Sequence, residues 1–167
     1  MSNDFVIRAS VQSDIESLPD IERRAGRLFP PERLPDPDPI WKPDDLLVAS
    51  QQNLLFVAEI ADRVVGFAVA EVLPPNLHLA EVAVDPDAAR RGIGRALVMR
   101  VVEEAQQRGL AGTSLTTFSD FPWNGPFYTR LGFQTIAQAD LTPELAQILN
   151  EERSMGMIRR IAMLKQP

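Results

Sequence analysis

The chain has 167 residues, 45% of them hydrophobic, with 23 acidic and 17 basic residues, a net charge of −6, one histidine and no cysteine. This length predicts a single domain, residues 1–167, around one continuous core. The acidic field disfavours a nucleic-acid partner, and the missing cysteines and the lone His78 exclude disulfides, an enzyme-bound thioester and a His-rich metal cluster.

Apolar periodicity and turn residues predict alternating elements along the whole chain. In order, the pattern predicts a strand at 5–8, a helix at 15–28, a loop at 29–45, strands at 54–60, 64–73 and 77–84, a helix at 92–108, a strand at 113–117, a short helix at 126–131, an extended segment at 133–137, a helix at 143–154 and a strand at 157–164. The result is one mixed α+β unit without internal repeats.

Three features support these boundaries. The loop at 29–45 contains six prolines, which exclude a long helix or a central strand and leave room for one short helical turn at most. The strands at 54–60 and 64–73 are separated by three residues, which is typical of an antiparallel hairpin. The order strand, helix, strand from residue 77 to residue 117 predicts a parallel pair.

The most informative motif follows the strand at 77–84. Here Arg90-Arg91-Gly92-Ile93-Gly94-Arg95 opens the long helix, so backbone N–H groups of the turn and of the first helical turn converge on one point. Two glycines allow close approach, and three arginines add positive charge to the positive end of the helix dipole. The motif predicts a phosphate site. No G-K-[ST] follows it and no third glycine completes it, which argues against a P-loop and a Rossmann turn.

In these motifs, and in the order of its elements, the sequence resembles the GCN5-related N-acetyltransferase (GNAT) family. The arginine-glycine turn resembles the family's pyrophosphate loop, and Val82-Ala83-Val84 resembles the strand that pairs with the pantetheine arm of CoA. Asn124, Phe127-Tyr128 and Gly132-Phe133 resemble the segment near the CoA thiol. The resemblance implies a mainly antiparallel sheet of six to seven strands, helices on both faces and a central splay that holds acetyl-CoA.

Two positions depart from the family's pattern. Ala89 stands where the family has Gln or Arg three residues before the first motif glycine, so a side-chain contact to the phosphate is missing. Asn124 lies four residues before Tyr128, where many members have an Asn seven before. The backbone N–H groups of the turn are therefore expected to carry most of the phosphate binding.

Tyr128 and Glu81 are the candidate catalytic residues. The phenol of Tyr128, protonated up to a pH of about 10, can donate a proton to a departing thiolate, and the alternative is a core aromatic. Glu81 can accept the amine proton, and the alternative is a solvent-exposed carboxylate at a sheet edge. His78 is a rival base, but alternation places it on the opposite face unless a bulge intervenes.

The acceptor side is expected to be walled by the proline-rich loop and by residues 118–123. Acidic and aromatic side chains in these regions suit a small cationic amine, or are solvated acids and packing aromatics. They are Glu22, Phe29, Asp36, Asp38, Trp41, Asp120 and Trp123.

The resemblance implies an N-acetyltransferase that moves acetyl from acetyl-CoA directly to an amine, without a metal. Two alternatives stay open: a non-catalytic acyl-CoA sensor on the same fold, and transfer of a longer acyl group. No apolar run is long enough for a membrane span and the N-terminus lacks a signal-peptide pattern, so a soluble, cytoplasmic protein without a membrane partner is expected. A monomer and a homodimer are both compatible with the sequence.

Overall fold

The structure, a computed structural model, describes residues 4–34, 36 and 38–167. Seven strands in these ranges form one sheet in the order β1-β2-β3-β4-β5-β7-β6. They are β1 (Val6–Ala9), β2 (Leu55–Ile60), β3 (Arg63–Leu73), β4 (Asn76–Val84), β5 (Thr113–Phe118), β6 (Gln134–Thr135) and β7 (Arg160–Lys165). Only β4 and β5 run parallel, as the intervening helix predicts.

Helices cover both faces of this sheet. They are α1 (Leu18–Gly26), α2 (Pro43–Gln51), α3 (Ile93–Gln107), α4 (Gly125–Arg130) and α5 (Pro143–Ser154). The larger apolar cluster lies on the face covered by α3 and contains Leu97, Val101 and, from α4, Tyr128. The smaller cluster lies on the opposite face, under α1 and α2. The α+β architecture predicted from the sequence is confirmed.

The N-terminal helical region differs from the expectation of one helix at 15–28. A 3-10 turn at Gln12–Ser17 precedes α1, and Pro19 lies in the first turn of α1. Proline lacks an N–H group and is tolerated in a first helical turn but not in a helix interior. The helix therefore begins afresh at Leu18 instead of continuing from the 3-10 turn.

Helix α2 was not predicted, and the expected loop at 29–45 runs into its first residues. It begins at Pro43, with Asp44 and Asp45 in its first turn. Proline at the start and acidic residues near the positive end of the helix dipole are favourable there. Pro43 was counted among the helix-breaking prolines of the loop, but it marks the start of α2.

Strand β4 contains an extra residue that decides which side chains face the acceptor side. Along β3, Val69 pairs with Glu81 and Ala70 pairs with Leu79, so Ala80 has no counterpart and forms a bulge. Glu71, which lies two positions after Val69 on β3, pairs with His78. Paired residues project to the same face of a sheet, so Glu81 and His78 face the same side.

Candidate active site

The site is built around the point where β4 and β5 separate. Residues 77–79 of β4 pair with residues 113–115 of β5, and these are the only pairs between the two strands among the described residues. Beyond that, β4 continues beside β3 and β5 continues beside β7. Within the described ranges, the edge of β4 at Val82, Ala83 and Val84 that faces β5 therefore has no strand partner. Unpaired strand edges offer N–H and C=O groups to an extended ligand.

The turn after β4 has the geometry of an anion site. Gly92 is the N-cap of α3 and has a left-handed φ of 82°, which disfavours any other residue. A Cβ built on Gly94 would lie 3.9 Å from Val84 Cγ2, its nearest neighbour, so the approach to the helix start is open. The first N–H groups of α3 have no partner within the helix. This open, donor-rich turn fits a pyrophosphate.

The side chains of the turn divide between solvent and core. Arg90, Arg91 and Arg95 are exposed, and Arg91 forms an ion pair with Asp4. Ile93 is buried in the larger apolar cluster. Ile93 can therefore reach a ligand only through its backbone, whereas the arginines add mobile positive charge around the turn.

Tyr128 lies in the larger apolar cluster, on the face of the sheet that carries α3. It is 7% exposed and packs edge-on against Phe127 and Phe133, with ring centroids 5.1 and 5.7 Å apart. Burial, and to a smaller extent the charge of Glu81, raises the pKa of Tyr128 above its usual value. The phenol is thus protonated at neutral pH and can donate a proton or a hydrogen bond.

Glu81 lies on the opposite face of the sheet. Its carboxylate accepts a hydrogen bond from the backbone N–H of Val82 at 3.1 Å. Burial and, to a smaller extent, the negative charge of Glu22 raise the pKa of Glu81 to about 8, against the opposing effects of Arg160 and of the hydrogen bond from Val82. A carboxylate with a pKa near neutrality can both accept and release a proton, which suits a general base.

His78 shares this face because of the bulge at Ala80. Its Nδ1 lies 3.0 Å from Ser114 Oγ, and burial lowers the pKa of His78 to about 4. The ring is therefore neutral and weakly basic at physiological pH. Glu81 has the proton affinity closer to that of a base working near neutral pH, so His78 fits better as a buried polar partner of β5.

Asn124 is turned towards its own segment. It is the N-cap residue of α4, and its Nδ2 donates to the carbonyl of Trp123 at 2.9 Å. Its backbone carbonyl accepts from the N–H of Tyr128 at 3.0 Å. The observed contacts position Tyr128, and a contact of Asn124 with the cofactor stays a prediction.

On the acceptor side, Glu22 is the acidic residue that lies close enough to affect Glu81. It is located on α1, and its carboxylate accepts hydrogen bonds from the N–H groups of Ile40 and Trp41 at 3.1 and 3.2 Å. Burial raises the pKa of Glu22. Two desolvated carboxylates near each other favour a positive charge between them.

The aromatic residues of the two walls form one cluster. The rings of Phe29, Phe118, Phe121 and Trp123 have centroids 5.1–5.7 Å apart, which joins the proline-rich loop to the segment after β5. Asp120 forms ion pairs with Arg33 and Arg159. Asp36 and Asp38 are exposed, and Trp41 packs against the smaller apolar cluster.

Arg160 was not among the residues predicted from the sequence, although it lies close enough to Glu81 and Tyr128 to affect their pKa values. Its Nε donates to Glu152 at 2.5 Å, its Nη2 donates to Thr116 Oγ1 at 3.3 Å, and its Cζ lies 4.5 Å from the centre of the Phe118 ring. Its charge lowers the pKa of both Glu81 and Tyr128. No local motif surrounds Arg160 in the sequence, so only the fold shows its place.

Comparison with known proteins agrees with this geometry. The model of the Acetyltransferase (GNAT) family matches residues 17–133. A [Ribosomal protein bS18]-alanine N-acetyltransferase of Salmonella typhimurium is 35% identical over 81 residues, which cover 48% of this chain and 53% of that protein. The chain thus spans about half the length of this curated relative.

Two solved structures resemble the whole chain. The PaiA N-acetyltransferase of Thermoplasma acidophilum, in complex with coenzyme A, superposes with a TM-score of 0.74 at 18% identity and covers 100% of both chains. At that identity the likeness shows the fold alone. The ribosomal-protein-S18-alanine N-acetyltransferase of Escherichia coli has a TM-score of 0.66 at 25% identity, covering 97% of this chain and 93% of that one.

The first prediction concerns the ionisation of Glu81. A carboxyl-carbon NMR titration should show a midpoint near a pH of about 8, compared with the ordinary value of 4.5. Glu22→Gln should lower this midpoint because it removes a nearby negative charge. Glu103→Gln, on the exposed part of α3, is the control and should leave it unchanged. A midpoint near 4.5 in the wild type would contradict the described environment.

The raised pKa of Glu81 also makes the free energy of unfolding depend on pH. A raised pKa means that the folded state favours the protonated carboxyl. The stability contributed by Glu81 is therefore complete below pH 4.5 and is lost as the pH rises through about 8. Relative to Glu81→Gln, the free energy of unfolding of the wild type should fall across this window.

Proposed function

Because the chain belongs to the Acetyltransferase (GNAT) family, we propose that it transfers an acetyl group from acetyl-CoA directly to an amine in a ternary complex. The observation that carries the proposal is that a protonated phenol and a carboxylate with a raised pKa lie on opposite faces of the sheet, close enough for the charge of Glu81 to affect Tyr128, beside an open helix N-terminus. The chain has no cysteine to hold the acyl group, which favours direct transfer.

The binding of acetyl-CoA is assigned mainly to backbone groups of the chain. Acetyl-CoA supplies the acetyl thioester. The free edge of β4 at Val82, Ala83 and Val84 is proposed to bind the extended pantetheine arm. The N–H groups around Gly92 and Gly94 are proposed to bind the pyrophosphate, with Arg90, Arg91 and Arg95 adding charge and Ile93 contributing its backbone.

The two proton transfers are assigned to Glu81 and Tyr128, which lie on opposite faces of the sheet. Glu81 accepts a proton from the attacking amine as the nitrogen–carbon bond forms. Tyr128 donates a proton to the thiolate as the carbon–sulfur bond breaks. The positive charge of Arg160 nearby favours the ionised form of Glu81 and so counteracts part of the burial effect. Positioning the two reactants in the splay supplies a further share of the rate.

We take the acceptor to be a small amine that arrives as an ammonium ion, in the cytoplasm. Glu22 and Glu81 supply the negative charge on the acceptor side. The ammonium ion must lose one proton to solvent before it attacks, and Glu81 accepts the second proton as the nitrogen–carbon bond forms. The chain's negative net charge attracts such cations over a longer range.

Turnover with a panel of amines is the direct test of this function. Small cationic amines should release free thiol from acetyl-CoA above the background rate, and an anionic peptide should not. Thiol release with none of the amines, together with binding of CoA, would instead support the acyl-CoA sensor. Faster release with an alanine N-terminal peptide would move the acceptor to polypeptides.

The binding turn yields a prediction that separates affinity from folding. Acetyl-CoA should raise the melting temperature of the wild type because it binds only the folded state. Gly94→Val should remove this shift, since its side chain occupies the approach to the helix start, while the fold should persist because a Cβ there meets only ordinary contacts. Ala96→Val, in the same helix beside Ile7, is the matched control and should retain the shift. Unchanged CoA affinity in folded Gly94→Val would refute the turn assignment.

Tyr128→Phe tests the proton donor. The variant keeps the ring and its packing against Phe133, so CoA affinity should change little. General acid assistance contributes about 100-fold to 10,000-fold, and kcat should fall within that range. The loss should appear in kcat more than in KM, because the hydrogen bond strengthens as the sulfur gains charge. A variant that keeps most of the wild-type kcat, with chemistry rate-limiting, would assign Tyr128 a packing role.

A further inference from the structure

Asp85 is a buried charge at the base of the phosphate-binding turn. It directly follows β4, is 2% exposed, and caps the 3-10 turn that leads to Arg90. Its Oδ1 accepts from the N–H of Asp87 at 2.9 Å. Its backbone N–H donates to the carbonyl of Val65 at 2.7 Å. The turn therefore starts from a residue that is fixed to β3 and carries a carboxylate out of contact with water.

Arg24 of α1 compensates this charge. Its Nη1 donates to Asp85 Oδ2 at 2.7 Å, and its Nη2 donates to Asp87 Oδ2 at 2.8 Å. Arg63, the other basic partner of Asp85, lies at 3.5 Å and has a side chain that is 69% exposed. We call the two contacts of Arg24 the Arg24 bridge. The bridge fixes two residues of the turn with one planar guanidinium.

The helix that carries Arg24 also serves the acceptor side. Glu22, two residues earlier on α1, holds the backbone of Ile40 and Trp41. One helix thus contacts both the turn proposed for the donor and the loop beside the acceptor.

We infer that Arg24 and Asp85 are positioning residues for the pyrophosphate, and that the Arg24 bridge holds the phosphate-binding turn in register with α1. The inference rests on the proposed function. Removing Arg24 leaves the buried carboxylate of Asp85 with the N–H of Asp87 and, among the described residues, one distant and exposed cation, Arg63, which is costly. The turn must then shift towards water, and its N–H groups no longer converge, whereas binding sites require positions within about 0.5 Å.

A pair of donors that differ in the pyrophosphate tests this role. S-Acetylpantetheine carries the thioester but lacks the pyrophosphate and the nucleotide. For Arg24→Met, kcat/KM should fall about 10-fold to 100-fold with acetyl-CoA, the size expected for a small misplacement, and stay close to the wild type with S-acetylpantetheine. Arg23→Met, which removes an exposed ion pair on the same helix, is the matched control and should change neither.

Three further variants keep the test decisive if Arg24→Met folds poorly. Asp85→Asn keeps the shape of the side chain and should reproduce the selective loss. The double variant should lose little more than the larger single one, because the two residues act as one unit. Arg24→Lys keeps the charge but not the two-pronged contact, and should recover CoA affinity only in part.

The outcomes separate this inference from the function it rests on. Equal losses with both donors, or a lowered melting temperature with unchanged CoA affinity, would reduce the Arg24 bridge to a structural contact. Full recovery in Arg24→Lys would mean that charge alone matters and would equally overturn the positioning role. A wild type that neither binds CoA nor consumes acetyl-CoA would overturn the proposed function itself.

Discussion

One extra residue in β4 sets the arrangement of the whole site. A regular strand would place His78 and Glu81 on opposite faces, because side chains alternate. The bulge at Ala80 brings both to the same face, and it lies at the position where pairing with β5 ends. Without that end of pairing, β4 would offer no free edge between the two faces. The shared face of His78 and the proposed base thus depends on the bulge, and the proposed donor site depends on the strand separation next to it.

The local environments of Tyr128, Glu81 and His78 shift the pKa values of these three candidate proton carriers in different directions. Burial acts on all of them, but it raises the pKa of the acids Tyr128 and Glu81 and lowers that of His78, because it disfavours whichever form is charged. At neutral pH the phenol keeps its proton, the imidazole carries no charge, and Glu81, with a pKa of about 8, is ionised in a minor fraction of the molecules. The proposed proton donor and the proposed proton acceptor can therefore act at one pH.

Much of the fold and part of the site could be predicted from the sequence. The turn at Gly92 and Gly94 is local, because the motif itself starts a helix and supplies the N–H groups. Tyr128 was found by its Phe127 and Gly132-Phe133 context. Periodicity also gave the order of strands and helices, and the membership of the family agrees with the resemblance. The roles of these residues stay predictions.

The remaining features depend on contacts that no local pattern contains. Periodicity cannot reveal the bulge at Ala80, since an inserted residue changes the pairing and not the composition. Arg24 and Asp85 are separated by 61 positions, and Arg160 reaches Thr116 across 44. Such pairs become visible only when the sheet order brings α1 beside the end of β4 and β7 beside β5.

Several charged and aromatic groups on the acceptor side are already engaged by the chain's own arginines. The rings of Phe118 and Phe121 are covered by the chain's own guanidinium groups, since Arg33 lies 4.5 Å from the centre of Phe121 and Arg160 lies 4.5 Å from that of Phe118. Asp120 is neutralised by Arg33 and Arg159. A cation-π contact of the acceptor with the covered face of either ring would have to displace these arginines.

Glu22 and Glu81 have no such internal cation in hydrogen-bond contact among the described residues, and both have a raised pKa. A positive charge placed between them would relieve their mutual repulsion and lower both pKa values. An arriving ammonium ion would thus favour the ionised form of Glu81, whose proton passes to solvent. Under the proposed function, the acceptor's charge is recognised at the reacting nitrogen itself, and the aromatic cluster holds the proline-rich loop against β5.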